Sequence, residues 1–152
     1  MSLQAAGTYR RTPLERASQQ VSWGRTDQAF FAAGACHVLA WTCRATYADQ
    51  AIGLCGMRFE GEPHAFHVYA RWEGWAFDHS GWHLEQDLLA ANRAYEDRAI
   101  EQVPVGPDLA TFCEQHNSRM PHQYWQDPVP RARLYLDRFV PPWRLAEGAT
   151  SG

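Results

Sequence analysis

Residues 64–78 read His64-Ala65-Phe66-His67-Val68-Tyr69-Ala70-Arg71-Trp72-Glu73-Gly74-Trp75-Ala76-Phe77-Asp78. Two runs rich in apolar residues flank Glu73-Gly74, a pattern that predicts a β-hairpin with a tight two-residue connection. With that turn, Trp72 faces Trp75, Ala70 faces Phe77 and Tyr69 faces Asp78. Successive side chains of a strand point to opposite faces, so one face takes Phe66, Val68, Ala70, Trp72, Trp75 and Phe77. The other takes His67, Tyr69, Arg71, Ala76 and Asp78. This separation of apolar from polar is what fixes a register. His67 then lies diagonal to Asp78, roughly 7–8 Å apart at the backbone and within side-chain reach. His64 has the opposite parity and shares a face with Asp78 only if the loop gains a residue or a strand bulges. His79 falls on the apolar face and is a third imidazole.

About thirty residues upstream stands Gly34-Ala35-Cys36-His37-Val38-Leu39-Ala40-Trp41. From Cys36 to about Asp49 there is no Gly or Pro, and the spacing predicts a helix buried on more than one side. A thiol at a helix N-terminus meets free backbone N–H groups and the positive end of the dipole. Both favour thiolate, and the same N–H groups can stabilise an oxyanion. Thiol, imidazole and carboxylate make a nucleophile, its base and the base's orienter. Cys43, Cys55 and Cys113 read as small core residues. The bland alternatives are a buried Cys36, a structural histidine and a turn-capping Asp78.

Outward from these stretches, Pro13 with Thr12 as cap predicts a helix over about 13–21, and Thr26 or Asp27 caps a second helix through Ala33. Ile52–Phe59 reads as a strand, His83–Ala99 as an amphipathic helix, Ile100–Val105 as a strand and Pro107–Arg119 as a helix. Arg131–Val140 alternates and predicts a late edge strand. Residues 1–12 read as an unanchored arm, 13–144 as a single domain and 145–152 as a disordered tail. The expected fold class is α+β, a Cys-bearing helix packed on an antiparallel sheet.

Composition narrows the function classes. The chain of 152 residues suits one core, and all 14 basic residues are Arg, set against 17 Asp and Glu. The arginines are dispersed along the chain, which argues against a nucleic-acid partner. No apolar run suits a membrane span and no secretory signal is visible, so the expectation is a cytoplasmic protein with reduced cysteines. No CxxC pair is present, and no cofactor is implied. Metal binding through histidine is a weaker alternative, since His64 and His67 point to opposite strand faces and His79 and His83 straddle Gly81.

Gly-Ala-Cys opening a helix, then a strand, then His-Ala-Phe-His-Val-Tyr, a turn and Trp-Ala-Phe-Asp resembles the core of the papain-like cysteine enzymes. It is most similar to their transglutaminase-like branch. The resemblance covers roughly residues 34–82. It implies an acyl-transfer enzyme acting on a peptide, protein or small amide or ester, with Cys36 as nucleophile and Asp78 as orienter. His64-Ala65-Phe66 resembles the His-Ala-Trp of that branch, whereas His67-Val68 resembles a cell-wall amidase strand. The face argument favours His67, and His64 stays open. The second oxyanion donor is unassigned: Gln19, Gln20 and Gln28 precede the cysteine at unusual distances, and Trp23 or the Cys36 backbone N–H are further candidates. A non-catalytic binding domain on the same fold is the alternative. Trp72, Trp75, Phe77 and Trp82 either line a cleft or belong to the core.

Overall fold

A computed structural model describes residues 1–145. Of the expected disordered tail, 146–152 lie outside the described residues, and Leu145 closes a helical turn. The chain forms one α+β domain around a five-stranded antiparallel sheet in the order β4-β3-β2-β1-β5. The strands are β1 (Gly53–Phe59), β2 (His67–Trp72), β3 (Trp75–Asp78), β4 (Gly81–Leu84) and β5 (Ile100–Pro104).

The hairpin has the register that the alternation dictates: Ala70 opposes Phe77, Arg71 opposes Ala76 and Trp72 opposes Trp75. Glu73 and Gly74 both adopt left-handed backbone (φ 43° and 82°), as a two-residue turn matched to strand twist requires. Helix α4 (Cys36–Thr46) packs along β2 and against α7 (Val129–Leu136). Val38, Leu39 and Cys43 on α4 meet Ala70 and Phe77 of the sheet and Tyr135 and Leu136 of α7 in the main core. The opposite sheet face is not solvated as the polar reading implied. Tyr69 and Ala76 are buried there with Met57, Cys55 and Leu88, under α5 (Glu85–Tyr95).

Four other expectations are corrected. The helix expected over 13–21 is two short ones, α1 (Pro13–Ala17) and α2 (Gln19–Trp23). Ser18 leaves helical dihedrals between them, and its hydroxyl accepts from the Val21 N–H. The helix expected from His83 begins at Glu85, because Gly81–Leu84 pairs with β3 as a further strand. The edge strand expected over 131–140 is α7: Ala132, Tyr135, Leu136 and Phe139 face inward at helical spacing, while Leu134 is 71% exposed. Residues 1–12 are not an unanchored arm. Ala5 and Ala6 are buried, the Ala6 N–H donates to Asn92 Oδ1 (3.0 Å) and the Gln4 N–H to Ser80 Oγ (2.9 Å). Helix α3 (Asp27–Ala32) is capped by Thr26, one of the two expected residues, and the helix expected over 107–119 is the shorter α6 (Leu109–His116), capped by Asp108.

Gly81 couples the sheet to the C-terminal helices. Its φ is +86°, and a β-carbon there would stand 2.6 Å from the Phe139 ring. Gly81→Ala is expected to destabilise the fold by about 2–4 kcal/mol, from left-handed backbone strain and overpacking together. Urea unfolding measures it, and a loss under 1 kcal/mol refutes the tight contact.

Candidate active site

Three elements deliver three side chains to the end of the sheet where β2 begins and β3 ends. Cys36 opens α4, with Ala35 as its non-helical N-cap. His67 is the first residue of β2 and Asp78 the last of β3. His67 Nε2 lies 2.9 Å from Asp78 Oδ2, and both residues are buried. The other oxygen, Asp78 Oδ1, accepts the Ser80 N–H at 2.8 Å. With Nε2 committed to the carboxylate, the His67 ring has only Nδ1 left. That atom is buried and has no partner in hydrogen-bond geometry, so its contact with the Cys36 sulfur is looser than a formed bond. Resting sites often hold such contacts long.

The electrostatics follow from this arrangement. Burial pushes the Cys36 thiol up, but interactions with the His37 and His67 rings outweigh it and lower the pKa from the usual 9.0 to about 5. Burial lowers His67, yet Asp78 and then Cys36 raise it to about 10. Burial also raises the Asp78 carboxyl, and the adjacent His79 ring, His67 and the Ser80 N–H bring it below the ordinary range. Between the two values the pair is therefore thiolate and imidazolium. Cys36 is nevertheless only half-buried as a residue and lines a cleft of about 580 Å³.

His37, which sequence reasoning did not place in the site, stands beside the sulfur. Its Nε2 donates to the Arg119 carbonyl at 2.7 Å. Burial lowers its pKa, but Cys113, Cys36 and the Arg119 carbonyl raise it to about 9. The only available signal was its position next to Cys36, and neighbours in a helix normally diverge. Tyr124 also closes on the site, its hydroxyl donating to the Gly34 carbonyl.

His64 is not brought to the sulfur. It is exposed on the loop before β2, with its ring 6.1 Å from that of His116. His79 is buried behind Asp78, its Nδ1 3.4 Å from Oδ2 and its Nε2 donating to the Gln4 carbonyl at 2.8 Å. None of Gln19, Gln20, Gln28 or Trp23 lines the cleft. Gln28 accepts from the Tyr9 hydroxyl, and the Gln19 side-chain amide lies against the Arg119 guanidinium. Gln123 lines the cleft and was not foreseen. Trp72, Trp82 and Phe77 pack in the core with Phe139 and Trp143, Trp75 is half-buried, and none of them lines the cleft. All four cysteines are free. The His67, Asp78 and His79 donor atoms lie within 4.8 Å of one another, a set that could hold a cation.

Comparison with known proteins finds no matching family model, no matching curated protein and no matching solved structure. Among the described residues, no helix is long and apolar enough to cross a membrane.

Titration of thiolate absorbance, taken as the difference from Cys36→Ser, is expected to show a midpoint near pH 5. Asp78→Asn removes the charge that holds the proton on His67, so the Cys36 midpoint should rise by about one to three units. An unmoved midpoint means that Asp78 does not act on the thiol through His67.

Proposed function

We propose that the protein is a cysteine-dependent acyl-transfer enzyme that attacks an amide or ester through Cys36. The observation that carries this reading is a half-buried cysteine at a helix N-terminus, on a cleft wall, beside an imidazole whose far nitrogen holds a buried carboxylate at 2.9 Å. In the proposed cycle the Cys36 thiolate adds to the carbonyl carbon and the C=O electron pair moves onto oxygen. The Cys36 backbone N–H at the start of α4 is the donor nearest that oxygen by position. Collapse breaks the bond to the amine or alkoxide, which leaves with the proton held by His67. The thioester is then attacked by water or by an amine, His67 takes the incoming proton, and the thiolate departs. Asp78 keeps the ring oriented and stabilises its charged form throughout. The papain-like, transglutaminase-like relationship belongs to the same proposal. Its support is the order of Cys36, His67 and Asp78 along the chain and a thiol helix packed on an antiparallel sheet.

A second reading rests on a separate observation. His79 donates from Nε2, so in the neutral ring its Nδ1 is a bare lone pair facing a carboxylate oxygen at 3.4 Å. A divalent cation between His67, Asp78 and His79 would relieve that opposition and would take the nitrogen that Asp78 otherwise orients. Elemental analysis of purified protein decides between the two: stoichiometric zinc or another transition metal favours this reading, and a metal-free, reactive protein removes it.

Incubation with p-nitrophenyl acetate is expected to give a burst of nitrophenolate and a single acetyl group on Cys36 by intact and peptide mass spectrometry. His67→Ala should slow acylation by about 10²–10⁴-fold, and Cys36→Ser should abolish the thioester. Acylation of Cys36 no faster than that of a free thiol would leave the non-catalytic binding domain.

A further inference from the structure

The arginines that are scattered in sequence converge at the thiol. Arg10, Arg11 and Arg16 from the N-terminal segment and Arg119 from the loop after α6 line the same cleft as Cys36 and His37. Among the residues that line it there is no Asp or Glu, although the chain as a whole carries a formal charge of −3. A cationic hollow in an acidic protein concentrates anions from solution and orients them.

Three of the four, Arg11, Arg16 and Arg119, lack a carboxylate partner among the described residues, and Arg11 and Arg119 are the less exposed of these. Arg10 is paired with Glu96 across the fold. Arg11 has no carboxylate partner among the described residues, and its neighbours Arg119, Arg16 and Arg25 oppose its charge, in addition to the larger effect of its burial. Arg119 contacts no carboxylate among the described residues either, and the neutral Gln19 side-chain amide lies beside its guanidinium. Arg11 is held close to the reacting atom by a local device. Gly34 has φ +112°, and Arg11 Nη1 lies 3.6 Å from where its β-carbon would be, so the guanidinium rests over the backbone two residues before Cys36. Arg11, Arg16 and Arg119 thus stand together with no carboxylate at ion-pair distance among the described residues, the nearby Glu15 being paired to Arg25, and an anionic ligand relieves that arrangement. Guanidinium groups suit the planar oxygens of carboxylate and the oxygens of phosphate alike.

We propose that the acyl substrate of Cys36 carries an anionic group, carboxylate or phosphate, which Arg11 and Arg119 bind beside the scissile carbonyl. The inference rests on the acyl-transfer reading and names the substrate class of that site. It also sets an order of events: the anion docks against the arginines first, and the carbonyl is thereby delivered to the sulfur at the cleft wall.

Two alkylating reagents that differ chiefly in charge test it. Iodoacetate is anionic and iodoacetamide neutral. In each case the thiolate forms a C–S bond as the C–I bond breaks, and iodide leaves with the electron pair. The rate ratio, iodoacetate over iodoacetamide, is measured at Cys36 by peptide mass spectrometry and compared with N-acetylcysteine at the same pH and salt. The ratio is expected to exceed that of the free thiol by about tenfold or more and to fall at high salt. The double variant Arg11→Gln, Arg119→Gln should lose most of the excess, read as the ratio of the two rates so that any change common to both reagents cancels, and Arg11→Lys should keep part of it. Succinate and inorganic phosphate, as competitors in the unaltered chain, separate the two anion sources: the one that protects at lower concentration identifies the group. A fast iodoacetamide reaction with a free-thiol ratio overturns the substrate class and leaves the nucleophile standing. An excess that survives the double variant assigns the attraction to the His37 and His67 rings and likewise overturns the arginine site. If neither reagent outpaces the free thiol, the nucleophile fails and the substrate class falls with it.

Discussion

A single buried contact, His67 Nε2 to Asp78 Oδ2, constrains everything around it. Placing an imidazolium and a carboxylate out of water costs several kcal/mol per ion, and only good geometry with full hydrogen bonding offsets that. Here the carboxylate is satisfied on both oxygens, by the His67 ring and by the Ser80 N–H. The pair is also fenced by His79, whose carbonyl accepts from the Tyr135 hydroxyl of α7. The N-terminal segment closes the remaining side, with the Gln4 carbonyl taking both His79 Nε2 and Ser80 Oγ. Residues 4 and 135 are thus tied to the same short turn. This is why the first residues cannot be a loose arm: without them polar groups of the turn after β3 would be buried and unpaired, which costs about 1–3 kcal/mol each.

The pair's position in the sheet explains its asymmetry. His67 and Asp78 share a face by parity with Tyr69 and Ala76, and along the strands that face is sealed under α5. Only at the strand ends does the layer stop, so a ring there can reach round to a helix packed on the other face. Cys36 stands at the start of that helix, in contact with the Val68 and Phe112 cluster. The thiol is therefore approached from the sheet by His67 and from its own helix by His37. One ring is fixed by a carboxylate, the other by the Arg119 main-chain carbonyl. Two proton-holding groups on one sulfur account for a thiol pKa near 5 in surroundings that would otherwise push it upward.

What the amino-acid pattern disclosed was local and periodic. The hairpin register was legible because alternation with period two and a Glu-Gly turn leave one solution, and the diagonal pairing of His67 with Asp78 followed from it. Helix starts near Thr26 and at Cys36 were legible from a cap and from the gap after Gly34, and the start after Pro107 was placed to within two residues. The failures have the converse cause. In α7, Leu134 and Leu136 alternate like a strand, but Leu134 faces water and the helical set is Ala132, Tyr135, Leu136 and Phe139. Strand β4 is four residues, too short for any period to stand out from the helix that follows it. His64 fitted a familiar tripeptide, yet parity and a preceding loop leave it exposed. The arginine gathering was invisible because it is made by docking residues 10–16 against a loop a hundred positions away, a purely tertiary event.

The division of labour between these two kinds of feature is itself informative. The groups assigned to bond making sit on α4, β2 and β3, the most deeply packed elements, where rotamers are fixed by the core. The charged wall of the cleft comes instead from the segment before α1, the short exposed α1 itself and the loop after α6, whose side chains are half-buried or exposed. Loops tolerate substitution far better than a sheet does. A different set of residues at 10, 11, 16 and 119 could change which ligand is attracted while leaving the His67–Asp78 geometry undisturbed. On the proposed reading, reactivity and recognition are carried by separate parts of one small domain, joined at Gly34, where Arg11 lies against the backbone that leads into Cys36.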